Sequence, residues 1–304
     1  MVAALDPAAA EPTGAFNLGK PQRVRVTHTT RVRVAAGTTG LHLWHARPLP
    51  RTWPGLPAPL DVGAVDFAPA GAKEVPTRTE GGRAWKWELE APAPGELTFV
   101  STFELTSVDR ELRTAGLKVS WAELATHATE VTPGLAALPE PNAKVREVVD
   151  RVRKKSDDVL DALVALSRAV VETVPYRPGV PYGSDDLTAI CRGGGGHCGH
   201  RATFFLSMCR AAGIPARRVL GFALLNQPPG PGADDGNRHV WAEVSLPRLG
   251  WVEIDPGAHG SPFALGRAYV ACPPDFQSRF VDTAPPGGPA AALLSDTLKA
   301  EPLR

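Results

Sequence analysis

The sequence predicts an α+β protein in which an all-β sandwich precedes a mixed unit of helices and antiparallel strands. Three observations carry that expectation. The first ~120 residues alternate apolar and polar side chains at the period of half-buried strands. Residues 142–212 repeat apolar side chains at helical spacing, and residues 239–255 return to strand alternation across a short turn. A length of 304 residues allows two such units, each with its own core.

The strands come first. Arg23-Val24-Arg25-Val26 and Arg31-Val32-Arg33-Val34 alternate strictly, and Leu41-His42-Leu43-Trp44-His45 follows the same period. Ala84 to Leu89 places two tryptophans and a leucine on one face, and Leu97 to Leu105 sets Leu97, Phe99, Phe103 and Leu105 against polar residues. Proline and glycine clusters at 48–59, 69–76 and 91–95 punctuate them, the pattern of a sandwich. Trp44, Trp53, Trp85 and Trp87 fit that core better than an aromatic binding platform. The expected organisation is a mobile tail over 1–16, the sandwich over 17–120, a proline-marked linker over 121–141, the mixed unit over 142–282 and a C-terminal tail over 283–304.

In the mixed unit Asn142 caps a helix through about Lys155, and Ser156-Asp157-Asp158 caps a second whose apolar stripe runs from Val159 to Val174. These acids complement a helix dipole rather than forming a catalytic pair. Tyr176 to Asp186 reads as a loop. A third helix starts near Cys198, buries Ala202, Phe205, Leu206, Cys209 and Ala212 on one face, and stops at Gly213-Ile214-Pro215.

Composition narrows the function. With 43% hydrophobic and 21% charged residues and a net charge of +1, the chain offers no electrostatic case for nucleic acid or an anionic membrane. No apolar run approaches the ~20 residues of a membrane span. Residues 1–15 lack the pattern of a signal peptide, so the chain reads as cytoplasmic unless a leader has been removed. Four cysteines, Cys191, Cys198, Cys209 and Cys272, show no disulfide framework.

The chemistry gathers between 191 and 256. Cys198 falls in the first turn of its helix, where free backbone N–H groups and the dipole favour a thiolate. Gly193 to Gly196 keep the sulfur accessible and lack the Gly-Lys-Ser/Thr of a phosphate loop. His239 opens one strand and Asp255 closes the next. An odd-numbered turn at Pro247–Gly250 puts both on one face, whereas an even one separates them. Cys198 is then the nucleophile, His239 its base, Asp255 the group that orients the imidazole, and the Cys198 N–H an oxyanion donor. Cys191, His197, Cys198 and His200 compete as zinc ligands, but their spacing is not that of a paired site. Asp234-Asp235 lacks a calcium-loop pattern. No cofactor or metal is expected, and His28, His42, His45, His127 and His259 read as structural.

These residues resemble the transglutaminase-like superfamily. The resemblance rests on Gly196 to Ala202, Cys209 to Arg217 with Gly221-Phe222, His239 to Val244, and Gly250 to Pro256, over roughly 145–270. It implies a papain-like core with a Cys198–His239–Asp255 triad, and acyl-enzyme chemistry on peptide or glutamine-type amides. The partner implied is a peptide or protein substrate, with an amine as a further acyl acceptor if the reaction is transamidation. A scaffold that kept the fold and lost turnover is the alternative. Where relatives often carry an acid two positions after the cysteine, this chain has His200, placed to tune the thiolate, bind substrate or face solvent. No tryptophan or glutamine lies between Trp121 and Cys198 to serve as the second oxyanion donor. Tyr176, Tyr182, His200 and Trp241 are the candidates for oxyanion or substrate contacts. The calcium dependence of animal relatives does not carry over.

Overall fold

A computed structural model of the chain describes residues 14–50, 62–77, 82–131, 134–177, 180, 187–192, 194–224, 238–258, 260–266, 269–272, 279–282 and 291–303. In chain order the N-terminal strands are β1 (Phe16–Leu18), β2 (Gln22–Val34), β3 (Gly40–Ala46), β4 (Val62–Ala68), β5 (Lys73–Pro76), β6 (Arg83–Glu90), β7 (Gly95–Ser107) and β8 (Arg110–Leu112). Helices α1 (Trp121–Ala128), α2 (Ala143–Arg153), α3 (Val159–Thr173), α4 (Leu187–Arg192) and α5 (Cys198–Ala212) follow. The chain then forms β9 (Ala216–Ala223), β10 (Arg238–Leu246), β11 (Gly250–Ile254), β12 (Ala264–Leu265), β13 (Tyr269–Cys272), β14 (Arg279–Asp282) and β15 (Ala292–Pro302).

The sandwich faces the sheet β15-β2-β7-β4 against β14-β3-β6-β5. The two alternating segments at 23–26 and 31–34 are one 13-residue strand, because Thr27 to Thr30 continue the alternation with polar residues. Val24, Val26, His28, Thr30, Val32 and Val34 face inward and the arginines outward. Arg23 and Arg25 reach Glu104, and Arg31 and Arg33 reach Glu96, on the neighbouring β7. Exposed pairs of this kind contribute little stability. The strand's inward face packs with Trp85, Trp87, Phe99 and Phe103, which places these tryptophans in the core. Trp44 is half-buried under the Lys86 ammonium, 5.0 Å from the ring centre, and Trp53 lies outside the described residues.

Two expected boundaries need correction. The segment read as a linker, 121–141, contains α1, fixed by a capping box in which Ser120 and Glu123 bond each other's backbone, with Leu124 buried beneath. Its prolines all lie C-terminal to that helix and do not interrupt it. The segment read as a C-terminal tail, 283–304, contains β15, which pairs with β2 along Val24–Arg33. Leu298 and Ala300 enter the sandwich core, so the last strand completes a sheet begun by an early one. Residues 1–13 of the expected N-terminal tail lie outside the described residues, and Phe16 is already in β1.

Helix caps fall where the sequence puts them: the Asn142 side chain accepts from Val145 N–H, and that of Asp158 from Leu160 N–H, both at 3.0 Å. The sheet β11-β10-β9-β13 packs with the helices. Helix α5 differs from the expected one-sided helix. Phe204 and Met208 are as buried as Phe205 and Cys209, because neighbours surround it: α2, α3 and α4 with β9 and β10. A helix apolar on all sides belongs in the middle of a core. Among the described residues no helix is long and apolar enough to cross a membrane.

Candidate active site

Helix α5 begins at Cys198, and an imidazole caps it. His197 Nδ1 accepts the Gly199 N–H at 3.1 Å, while His200 Nδ1 accepts the His197 N–H at 3.3 Å. The two rings meet edge-on at 4.1 Å. His200 is buried at 6% exposure, so it serves the helix start rather than facing solvent. The glycines ahead of it have steric causes. Gly195 has φ +143°, and a Cβ there would lie 2.5 Å from the Pro175 carbonyl; one on Gly196 would lie 2.7 Å from His200 Cβ. That close approach lets Gly196 N–H donate to Pro175 O and Arg177 N–H donate to Gly196 O, each at 2.9 Å. Tyr176, between Pro175 and Arg177, is 59% exposed, with Arg201 5.5 Å above its ring.

His239 and Asp255 arrive by strand register. Leu246 pairs with Gly250 across the three residues Pro247, Arg248 and Leu249, an odd turn closed by positive φ at Arg248 and Gly250. Ala242 pairs with Ile254, so the register continues Asp255 opposite Trp241, on the face that carries His239. His239 Nε2–H donates to Asp255 Oδ2 at 2.8 Å. The His239 and His197 side chains both act on the Cys198 thiol, so the structure brings Cys198, His239 and Asp255 to one site.

The electrostatics follow from those contacts. Burial pushes the Cys198 thiol up, but the neighbouring His197 and His239 side chains outweigh it and bring it down to about 6. Burial pulls His239 down, yet its bonds to Asp255 and Cys198 raise it to about 10. Burial alone pushes the Cys209 thiol well up, which leaves it an inert core residue. A thiol lowered beside a raised imidazole is a thiolate–imidazolium pair at neutral pH.

Around the pair stand residues that sequence reasoning missed. Tyr269 donates its hydroxyl to Asp255 Oδ2 at 2.7 Å and packs edge-on against His239 at 5.1 Å. It lies on β13, beyond the motifs, with no local signal. Gly257 N–H donates to the other oxygen, Asp255 Oδ1, at 2.8 Å. Buried Arg201 donates from Nε to Val174 O at 2.9 Å and reaches Gly257 O, tying α5 to the Asp255 turn. Trp241 departs from its expected part in substrate or oxyanion binding. It is fully buried, its indole N–H goes to Glu253 Oε1 at 3.1 Å, and its ring lies nearly parallel to His239. Glu253 in turn takes Arg110 of β8 through both oxygens.

Tyr182, His259, Asp234 and Asp235 lie outside the described residues. The four zinc candidates do not gather, since the Cys191 sulfur instead accepts from Asn142 Nδ2 at 3.8 Å. All four cysteines are free thiols.

Residues 146–256 match the family model of the transglutaminase-like superfamily. This chain carries a transglutaminase-like domain. The match spans Cys198, His239 and Asp255. The transglutaminase-like domain and its sandwich together share the fold of a candidate cysteine protease from Cytophaga hutchinsonii, with a TM-score of 0.67 and 13% identity over 95% of this chain and 93% of that one. The periplasmic domain of TgpA from Pseudomonas aeruginosa aligns at a TM-score of 0.35 and 19% identity, over 77% of this chain and 87% of that one. No curated protein sequence matches. The fold over residues 146–256 is thus transglutaminase-like.

Proposed function

We propose that the protein is an acyl-enzyme catalyst acting on peptide or glutamine-type amides, with Cys198 as nucleophile, His239 as acid and base, and Asp255 as orienting carboxylate. The observation that carries this reading is the His239–Asp255 hydrogen bond facing Cys198 at the start of α5, with His239 close enough to lower the thiol. The thiolate attacks the amide carbonyl carbon and forms a C–S bond. Charge builds on the carbonyl oxygen, for which the Cys198 N–H at the helix start is one donor and the Tyr176 hydroxyl the candidate for a second. The C–N bond then breaks as the His239 imidazolium gives its proton to the leaving amine. Neutral His239 next takes a proton from water, the hydroxide adds to the thioester, and the C–S bond breaks to release the acid and restore the thiolate. A primary amine in place of water gives transamidation.

Hydrolysis is the favoured outcome. Cys198 is only half-buried, so water reaches the thioester. Intact-mass analysis after iodoacetamide treatment at pH 6 tests the nucleophile. The expected result is fast single labelling that Cys198→Ala abolishes; equal slow labelling of both proteins would sink the proposal. Peptide substrates offered with and without a primary amine then separate hydrolysis from transfer.

A further inference from the structure

A second group of titratable side chains sits inside the sandwich. His28 of β2, His45 of β3 and Asp296 of β15 lie within ligand distance of one another, and with Thr30 and Ser101 they show no exposure. The imidazoles stack at 3.7 Å with their planes 20° apart. Proton counting fixes the order of the bonds. Asp296 Oδ1 accepts from the Thr30 hydroxyl and from His28 Nε2–H, the latter at 2.9 Å. Having spent its one proton, Thr30 Oγ1 accepts from His45 Nε2–H at 3.0 Å, and His45 Nδ1 accepts from the Ser101 hydroxyl at 2.8 Å. Burial, with His28 and Arg238 nearby, keeps His45 neutral. The remaining carboxylate oxygen, Asp296 Oδ2, accepts from Arg238. The Asp296 carboxylate thus faces the Arg238 guanidinium in the sandwich interior.

Arg238 is the first residue of β10 and precedes His239. Alternation sends the two side chains to opposite faces, His239 towards Cys198 and Arg238 towards the sandwich. Phe222, which pairs with Arg238, belongs to the apolar cluster of Val26, Trp85 and Leu298 and meets the His28 ring edge-on at 6.0 Å. This end of β10 is held thinly. Among the described residues its pairing with β11 reaches only Ala242, so there Arg238 and His239 have β9 alone as a strand neighbour. Strand ends fray unless something ties them.

We propose that Asp296 and Arg238 position the histidine of the thiol site: the last strand of the chain places a carboxylate in the sandwich core, the carboxylate fixes Arg238, and Arg238 fixes the strand end from which His239 meets Cys198. This rests on the cysteine–histidine reading given above. Both are positioning residues, since neither touches the sulfur. The sandwich on this view is part of the catalytic apparatus.

The test is the pH profile of iodoacetamide labelling at Cys198, read by intact mass on protein shown to be folded by circular dichroism. R238M/D296N removes both charges together and strands neither. R238Q, at a side chain 24% exposed, provides a second variant should the double one fail to fold. Wild type is expected to show a midpoint near 6. In R238Q and the double variant the midpoint rises by about one unit, which cuts labelling at pH 6 about fivefold through the thiolate fraction. R238K, which keeps a cation on Asp296, stays close to wild type. A purely structural role would lower the melting temperature and leave the midpoint of the folded protein in place, and that result overturns the proposal. So does a stoichiometric divalent metal in purified wild type that D296N releases. A wild type with no low-pH midpoint defeats the thiol reading itself, an outcome distinct from variants that label like wild type.

Discussion

At Asp255 Oδ2 two donors meet, the His239 Nε2–H at 2.8 Å and the Tyr269 hydroxyl at 2.7 Å. The tyrosine withdraws some of the carboxylate's charge from the imidazolium. Its own hydroxyl is pushed up, first by burial and then by that carboxylate, so it remains a donor throughout the useful pH range. With the thiol lowered to about 6 and the imidazole raised to about 10, amide turnover is expected to follow a bell with limbs near those values. The limbs belong to the coupled pair rather than to either residue. Tyr269→Phe removes one hydrogen bond and keeps the ring against His239. Asp255 then holds the imidazolium more tightly, and the basic limb moves up. Losing a bond to a charged acceptor, worth about 1.5–3 kcal/mol, also loosens the carboxylate and is expected to slow turnover about tenfold. Kinetics from pH 5 to 11 would show it; an unshifted basic limb at full rate would mean the hydroxyl is a bystander.

Strands, more than helices, decide whether this site exists. A Cβ on Gly221 would lie 2.1 Å from Val270 O and 2.7 Å from the Trp241 ring. Gly221 pairs with His239 on β10 and with Ala271 on β13, so any side chain there pries apart the strands carrying His239 and Tyr269. Gly221→Ala is expected to cost about 1–3 kcal/mol by overpacking and to slow Cys198 labelling. Gly213→Ala, at φ +77° with nothing near its Cβ, should cost a comparable amount through backbone strain yet leave labelling unchanged. Labelling rates set beside urea midpoints separate the two, and equal labelling in both would reject this role for Gly221. The hairpin was legible in the sequence because period-two alternation and an odd turn together fix a face. The helix start at Cys198 was legible because Gly213 and Pro215 mark the other end. Strand β2 shows in the sequence as two short alternating runs because His28 and Thr30 are polar residues pointing inward, and a pattern scored on hydrophobicity sees a gap there. Strand β15 escaped notice because its partner β2 lies more than 250 residues away, and its Ala-Leu-Leu-Ser-Asp start alternates poorly around a register shift at Leu293/Ser295.

Across the whole molecule the two units share too much to unfold separately. Phe222 of β9 and Cys272 of β13 sit in an apolar cluster with Val26, Trp85, Phe103 and Leu298 of the sandwich. Leu49 N–H donates to Ala271 O at 2.8 Å, Arg110 of β8 grips Glu253, and Arg238 meets Asp296. The side chains of Arg110 and Glu253 are 4% and 6% exposed, and breaking so buried a pair from one side costs about 3–5 kcal/mol, because the partner is left charged and dry. Glu253→Gln is the useful change, since its amide oxygen still accepts from Trp241 while the charge on Arg110 goes unanswered. Native-state hydrogen exchange followed by mass spectrometry reads the two units separately through peptides from β7 and from α5. The expected outcome is one opening free energy for both in the wild type and the same reduction for both in Glu253→Gln, with a melting temperature lower by about 10 °C. If β7 kept its protection while α5 lost it, the sandwich would be an independent domain beside the catalytic fold. Equal loss would mean that residues flanking the central 146–256 segment are part of what keeps Cys198, His239 and Asp255 in register.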